Sequence, residues 1–371
     1  MMTVDFLVVG AGIAGASVAA RLSETHAVLL VDMEERAGYH TTSRSAASYE
    51  PNYGPVPMLA LTRASHDFFM QPPPGFTDAP LFTPRGSLFL EAEGQADKTD
   101  YLLSKASGLT ELSIAKTCEL FPVLKPDYAT RSFLDGQTGD LDVDLLQRGF
   151  FRMLKERGGK LLLSSPLRSA ERRAGQWRVR CGATDVTATI IVNAAGAWGD
   201  VVAKLCGAAP VGLIPKRRSI GVVPMPDGMD FARWPMVTDV GETWYAKPQS
   251  GKLIVSSADA TPVEPHDAYA DDMAIAEGID RMMTATTLKV ERLVHSWGGL
   301  RTFAPDGSPV VGFDQHTEGF FWLVAQGGYG IQSSPGLSAT AADMARGLPI
   351  AKAIIDMGLN RADIAPERFA T

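Results

Sequence analysis

The chain has 371 residues, of which 45% are hydrophobic and 21% charged, so its length and composition indicate about two globular domains with ample apolar side chains for their cores. A net charge of −7 argues against a nucleic-acid-binding protein, and three widely separated cysteines, Cys118, Cys181 and Cys206, make neither a disulfide framework nor a zinc knuckle; they read as buried, inert thiols of a reducing compartment. The longest near-apolar run, Phe6 to Ala20, spans 15 residues with three glycines, short of the roughly 20 that cross a bilayer, and no basic signal-peptide region precedes it, so a soluble, cytoplasmic protein is expected.

In chain order, Thr3 to Val9 reads as an apolar strand, Ile13 to Ser23 as a helix of small residues and Ala27 to Val31 as a second strand, a βαβ unit that implies a parallel sheet. Gln71 to Gly75, with three prolines, breaks any helix. A strand follows over Leu81 to Leu90. A helix over Asp140 to Arg157 is expected, capped by Asp142 and ended by Gly158-Gly159. Lys160 to Ser164, Gln176 to Cys181 and Thr189 to Asn193 read as strands, the last running into Ala194-Ala195-Gly196-Ala197-Trp198. From Val211 to about Leu288, alternating strands and frequent prolines suit an antiparallel sheet. Phe320 to Ala325 is a last apolar strand, followed by the glycine-rich loop Gln326 to Gln332 and a C-terminal helix.

Gly10-Ala11-Gly12-Ile13-Ala14-Gly15 fits G-x-G-x-x-G between a strand and a helix, the setting in which the motif binds a dinucleotide. The glycines permit the turn, the close approach of a diphosphate and helix packing, and the helix N-terminus faces the phosphates. Asp32 ends the second strand 17 residues after Gly15, where a carboxylate accepts ribose hydroxyls. Three features favour FAD over NAD. The motif lies at the N-terminus. The small, polar run Gly38 to Ala47 suits a long ligand. The late loop–helix unit after Phe320–Ala325 places a positive helix end to stabilise a reduced flavin, although alone it reads as a simple connection. There is no G-x-S-x-G, H-x-x-x-H or H-E-x-x-H, and the six histidines are scattered, so hydrolase and metal readings have little support.

Six segments carry a resemblance: D-F-L-V-V-G-A-G-I-A-G-A-S from Asp5, G-Y-H-T-T-S-R-S-A-A from Gly38, V-N-A-A-G-A-W from Val192, P-K-R-R-S from Pro215, W-G-G-L-R from Trp297 and A-Q-G-G-Y-G-I-Q from Ala325. Over essentially its whole length the chain resembles the D-amino-acid oxidase, glycine oxidase and sarcosine oxidase group of flavoproteins, and within it the D-arginine dehydrogenases of bacteria. The resemblance implies non-covalent FAD held by Gly10, Gly12, Ile13, Ala14, Gly15, Asp32, Met33, Arg44, Ser45, Ala46, Ala47, Ser48, Ala195, Gly196, Trp198, Arg301 and the loop Gly327, Gly328, Tyr329, Gly330, Ile331, Gln332. It further implies that Arg301 and Arg218 bind a substrate carboxylate, with Tyr53 on a mobile lid and Tyr245 beside it, and that the Gly328 carbonyl meets the substrate amine. A guanidinium forms two parallel hydrogen bonds to a carboxylate, which suits that role. Without the resemblance, Arg218 reads as part of a solvated charge run and Arg301 as a surface arginine.

Against the D-arginine dehydrogenase pattern, Ser87 replaces the glutamate that meets the substrate guanidinium, Ser48 replaces a histidine, Glu50 stands at an uncharged position and Thr238, two after Met236, replaces an apolar residue. Glu50 reads either as a solvated lid charge or as a relocated partner for a cationic substrate. Gly251-Lys252-Leu253-Ile254 aligns Leu253 with the flavin-side lysine of the fast oxidases, and alternation turns Lys252 to the other face, which favours a dehydrogenase.

The expected fold is α/β: a Rossmann-like FAD-binding domain with a parallel sheet, from residues 1–80, 140–210 and 290–371, and a substrate domain on an antiparallel sheet, from 81–139 and 211–289. The expected reaction is oxidation of an amino acid at its Cα–N bond by hydride transfer to flavin N5, giving an imino acid that hydrolyses to a 2-oxo acid and ammonia or an amine. Quinone or oxygen takes the electrons. Two alternatives stand beside it: a secondary-amine oxidase for sarcosine-like or N-carboxymethyl amino acids, and a non-catalytic flavin-binding subunit or sensor.

Overall fold

The first strand, Met2–Val9, pairs in parallel with Val28–Val31 on one side and with Thr184–Asn193 on the other. The computed structural model, which describes residues 2–226 and 228–369, extends this sheet with Lys160–Leu162 beyond Val28–Val31 and with Phe320–Val324 beside the C-terminal half of Thr184–Asn193. Val310–Phe313 closes that edge antiparallel. The N-terminal half of Thr184–Asn193 pairs instead with a hairpin of Leu167–Arg173 and Gln176–Cys181.

The parallel strands are apolar on both faces because both are covered. Phe6, Val8, Leu30, Phe321 and Leu323 pack with helices Ile13–Leu22, Val143–Glu156 and Gly330–Ala345, while Leu7, Val9, Leu29, Trp322 and Val324 form a second core on the other face. Helix Ile13–Leu22 sits close to its neighbours because Ala16, Ala19 and Ala20 present almost no side chain.

A second sheet runs His295–Phe303, Ile214–Val223, Lys252–Ser256, Tyr245–Gln249, Met236–Asp239, Ser87–Ala92, Ala129–Asp135, Leu109–Leu112. Its neighbours are antiparallel except Met236–Asp239 and Ser87–Ala92, which are parallel. Helix Asp272–Ala285 covers one face through Met282 and Ala285. A small sheet of Ser48–Tyr49, Gly139–Leu141 and Phe82–Pro84 bridges the two.

Three details depart from the expectations. The strand expected over Leu81 to Leu90 is split at Arg85-Gly86, where Gly86 has φ +86° and the chain changes sheets. The stretch from Val211 to Leu288 contains the helix Asp272–Ala285; its capping Asp271 and the spacing of Ile275, Ile279 and Met282 carried the signal, masked by the strands before it. The expected boundary at 290 falls before a strand of the other sheet: His295–Phe303 pairs with Ile214–Val222 along nine residue pairs. Only past Phe303 does the chain return to the first sheet, and a bridge from Thr302 to Gly327 ties the two together.

Candidate active site

The turn after the first strand requires its glycines. Gly10 has φ +103°, and a Cβ there would lie 2.5 Å from the Ala194 carbonyl oxygen. A Cβ on Gly15 would lie 1.8 Å from the Gly10 carbonyl oxygen, so Gly15 lets the helix seat on the turn. Two loop amides are used internally: Ala11 N–H donates to Asp32 Oδ2 (2.5 Å) and Ile13 N–H to Thr42 Oγ1 (3.0 Å). Gly12 is the helix N-cap and brings no capping side chain of its own; Thr42 takes the Ile13 N–H, and no side chain among the described residues takes the Ala14 and Gly15 amides, which stay open to an anion. Asp32 also accepts from Glu34 N–H; burial holds its carboxyl above the usual range, with the Glu34 and Ala11 amides opposing.

A cavity of about 250 Å³ is lined by this turn, except Ala11 and Gly15, together with Asp32, Met33, Arg44, Ser45, Ala195, Gly196 and Trp198. It continues to Arg218, Arg301 and the late loop at Gly327, Gly328, Gly330 and Ile331. Arg44 offers no free cation to it: its guanidinium is taken by Asp267 (2.5 Å) and the carbonyls of Ala268 and Gly298. Helix Gly330–Ala345 starts at the cavity and again lacks a side-chain cap.

An adjoining cavity of about 80 Å³ shares Ser45, Arg218, Arg301, Gly328 and Ile331 with the first. Arg218 pairs with Gly299 and Lys216 with Arg301, so Arg218 and Arg301 lie on one face of adjacent antiparallel strands. Arg301 Nη1 donates to Tyr53 Oη (3.2 Å), the only hydrogen-bond partner of this guanidinium among the described residues. Burial works against the Arg301 charge, but Tyr53, Tyr245 and Tyr329 outweigh it and keep the pKa above its ordinary value. Tyr245 Oη is buried without a hydrogen-bond partner. Tyr53 packs edge-on to Tyr329, which lines neither cavity.

The other wall comes from the second sheet. Ser87 pairs with Met236 and Thr238 with Tyr245. Thr238 Oγ1 shares its proton between the carbonyls of Trp244 (2.9 Å) and Asp239 (3.1 Å), so the hydroxyl has no donor left for the cavity and can act there only as an acceptor. Ser48 Oγ lies 3.8 Å from Met236 Sδ. Glu50 is buried, not solvated: Ser87 Oγ donates to its Oε1 (2.8 Å), and Gln332 clamps its backbone, accepting from Glu50 N–H (3.0 Å) and donating to the carbonyls of Glu50 (3.3 Å) and Tyr53 (3.4 Å). Burial pushes the Glu50 carboxyl up to about 8, against the Ser87 hydrogen bond; Asp135 and Asp140 raise it further and Lys247 lowers it.

Sequence reasoning missed three residues here. Thr42 holds the glycine loop, as above. Glu242 lies at the second cavity, exposed, with φ +53°. Lys247 is buried and donates to Ala46 O and to Asp140 Oδ1 (2.9 Å), while Arg85 Nε donates to Asp140 Oδ2 (2.7 Å); this clasp holds the segment Ser45 to Ala47 that lines the second cavity. Alternation in Tyr245–Gln249 placed Lys247 on the face of Tyr245 and so carried its signal. Leu253 lies in the core under helix Asp272–Ala285, and neither it nor Lys252 lines either cavity.

The cavity at the glycine turn thus abuts the half-buried guanidinium of Arg301. The chain belongs to the FAD dependent oxidoreductase (DAO) family, which it matches over residues 5–344. It is 26% identical over 248 residues to the mitochondrial dimethylglycine dehydrogenase of Rattus norvegicus, 62% of this chain but only 29% of that protein's length. Its fold is shared by glycine oxidase of Geobacillus kaustophilus (TM-score 0.83, 19% identity, 97% of this chain and 99% of that one). Iminodiacetate oxidase of Chelativorans sp. BNC1 is also similar (TM-score 0.79, 19% identity, 97% and 99%). These likenesses establish the family and the fold, not the D-arginine dehydrogenase subgroup. The residues present fit FAD: the glycine turn that any Cβ would fill and the open helix N-terminus suit its diphosphate, and Asp32 suits a ribose. No described helix is long and apolar enough to cross a membrane.

Proposed function

We propose that the protein oxidises an amino acid at its Cα–N bond, with FAD in the larger cavity and the amino acid in the smaller one. The carrying observation is the half-buried Arg301 guanidinium, with Tyr53 as its one partner among the described residues and the unpartnered Tyr245 hydroxyl on the same cavity. No carboxylate pairs with this cation among the described residues, and a substrate carboxylate supplies the missing charge and acceptors. Arg218 lines both cavities, its Nε held by the Asp259 carbonyl, and adds a second cation to the carboxylate end. Gly328 brings its backbone to the same place, where its carbonyl orients the amine.

Bound FAD would supply the acceptor for a hydride, the Cα hydrogen with its bonding electron pair, lost from the neutral amine; water would hydrolyse the resulting imino acid to a 2-oxo acid and ammonia or an amine. The protein's share is positioning and exclusion of water. Quinone or oxygen takes the electrons onward. The first sheet with its helices is assigned to FAD and the second sheet to the substrate.

Anaerobic bleaching of the flavin by D-amino acids, L-amino acids and N-alkyl glycines tests the reading. Bleaching by an amino acid supports it. Bleaching by N-carboxymethyl amino acids alone would move the activity to secondary amines. A flavin that no amine bleaches would indicate a binding subunit or sensor.

A further inference from the structure

The smaller cavity carries ionisable groups at both ends. Arg301 and Arg218 lie on one wall and Glu50 on the other, and no ion pair joins Glu50 to either arginine among the described residues. Glu50 lines the cavity and has one side-chain partner among the described residues, the neutral Ser87 hydroxyl on Oε1; Oε2 has none there. Phe89, Met236, Ser48 and Thr238 around it supply no cation. The nearest cation, Lys247, is already engaged by Asp140 and the Ala46 carbonyl.

We propose that Glu50 selects an amino acid whose side chain carries an ammonium or guanidinium group, binding that cation through Oε2 while Arg301 holds the α-carboxylate. Such a ligand neutralises both unpaired ends at once, which neither a neutral nor a dicarboxylic amino acid does. The Gln332 clamp fixes Glu50 in place, and Glu242 adds negative charge at the same cavity. This inference rests on the reading of the cavity as an amino-acid site.

Proton release accompanies binding. The groups that act on Glu50 are Asp135 and Asp140, which favour its neutral form, and Lys247 and the Ser87 hydroxyl, which favour its ionised form; burial decides for the neutral form near pH 7. An arriving cation reverses that balance, so the Glu50 proton passes to solvent as the ion pair forms.

The experiment compares racemic lysine with racemic norleucine, which lacks only the terminal ammonium, as reductants of the holoenzyme flavin under anaerobic conditions. Lysine is expected to bleach it at roughly 10- to 150-fold lower concentration, the range of a charge-assisted hydrogen bond, and Glu50→Gln to collapse that ratio. Calorimetry of the unreactive pair 6-aminohexanoate and hexanoate on the wild-type holoenzyme, in two buffers of different ionisation enthalpy at pH 7, gives a second readout that needs no variant. The amino acid analogue is expected to bind more tightly and to release a proton. Equal bleaching by lysine and norleucine, a ratio that survives Glu50→Gln, or equal binding of the two carboxylates overturns the inference and leaves the proposed function standing. Bleaching by no amino acid at all overturns both.

Discussion

Gly328 and Arg301 occupy the same space: a Cβ on Gly328 would lie 2.8 Å from Arg301 Nη1 and 2.9 Å from its Cζ. The loop between Phe320–Val324 and Gly330–Ala345 therefore has a glycine where the guanidinium of the other sheet passes. Gly327, φ +56°, meets the same strand, its N–H donating to the Thr302 carbonyl (2.9 Å). The late glycine loop thus seats an arginine as well as turning the chain into a helix.

Gly328→Ala is accordingly expected to displace Arg301 and raise the amino acid concentration that half-bleaches the flavin by at least about tenfold, the loss of one charge-assisted hydrogen bond. Flavin titrations on the variant check this, and the ratio of flavin to protein absorbance checks that FAD remains. An unchanged titration would place the substrate away from Arg301.

Arg301→Lys and Arg301→Ala separate charge from geometry. A planar guanidinium grips a carboxylate with two parallel bonds, and an ammonium does not. Both variants are expected to weaken substrate binding by roughly 10- to 150-fold, with Ala the worse. Unaltered steady-state kinetics in Arg301→Lys would show that bidentate contact plays no part.

The purified protein is expected to be yellow and to release its flavin to the supernatant on acid precipitation. Among the described residues no cysteine lines the FAD cavity, and burial pushes the thiols of Cys181 and Cys206 up to about 11 and about 12, so neither is a ready nucleophile. Colour left in the pellet would contradict a non-covalent cofactor. Gly15→Val, whose Cβ would fall 1.8 Å from the Gly10 carbonyl oxygen, is expected to abolish FAD binding.

The cofactor half was legible because its signals are local. A glycine turn between a strand and a helix states its own geometry, and Asp32 follows at the end of the next strand. The substrate half depends on contacts far apart in the chain. Glu50 meets Gln332 across 282 positions, and Lys247 meets Ala46 across 201. No periodicity in either segment reveals such a meeting. Sequence alone therefore left Glu50 between a solvated lid charge and a relocated partner for a cationic substrate, and burial removes the first. Thr238 was misleading for a related reason: its hydroxyl looks like a polar change in the pocket, but two backbone carbonyls take it up. The strand His295–Phe303 lies past the expected boundary at 290, yet its backbone pairs with Ile214–Val222 of the second sheet, a long-range pairing that no local pattern states.

Glu50 also leaves a mark on stability that needs no substrate. Its carboxyl titrates near 8 in the folded protein and near 4.5 when exposed, with burial as the main cause. Between those values the folded chain keeps a proton that the unfolded chain has lost, so this group makes the protein less stable as pH rises from about 4.5 to about 8. The slope is at most roughly 1.4 kcal/mol per pH unit. Below this window both states are protonated, and above it both are ionised, so the contribution is level at each end. Glu50→Gln keeps an acceptor for the Ser87 hydroxyl and removes the titration. The variant is therefore expected to gain stability over the wild type as pH is raised, with the difference small at pH 5 and largest near pH 8. Urea unfolding of both proteins at pH 5, 6.5 and 8 measures it. Asp135, Asp140 and Lys247 remain in both proteins, so the difference isolates Glu50 and its coupling to them. A difference independent of pH would mean that Glu50 ionises in the folded protein as it does in water, and the buried neutral carboxyl would have to be abandoned.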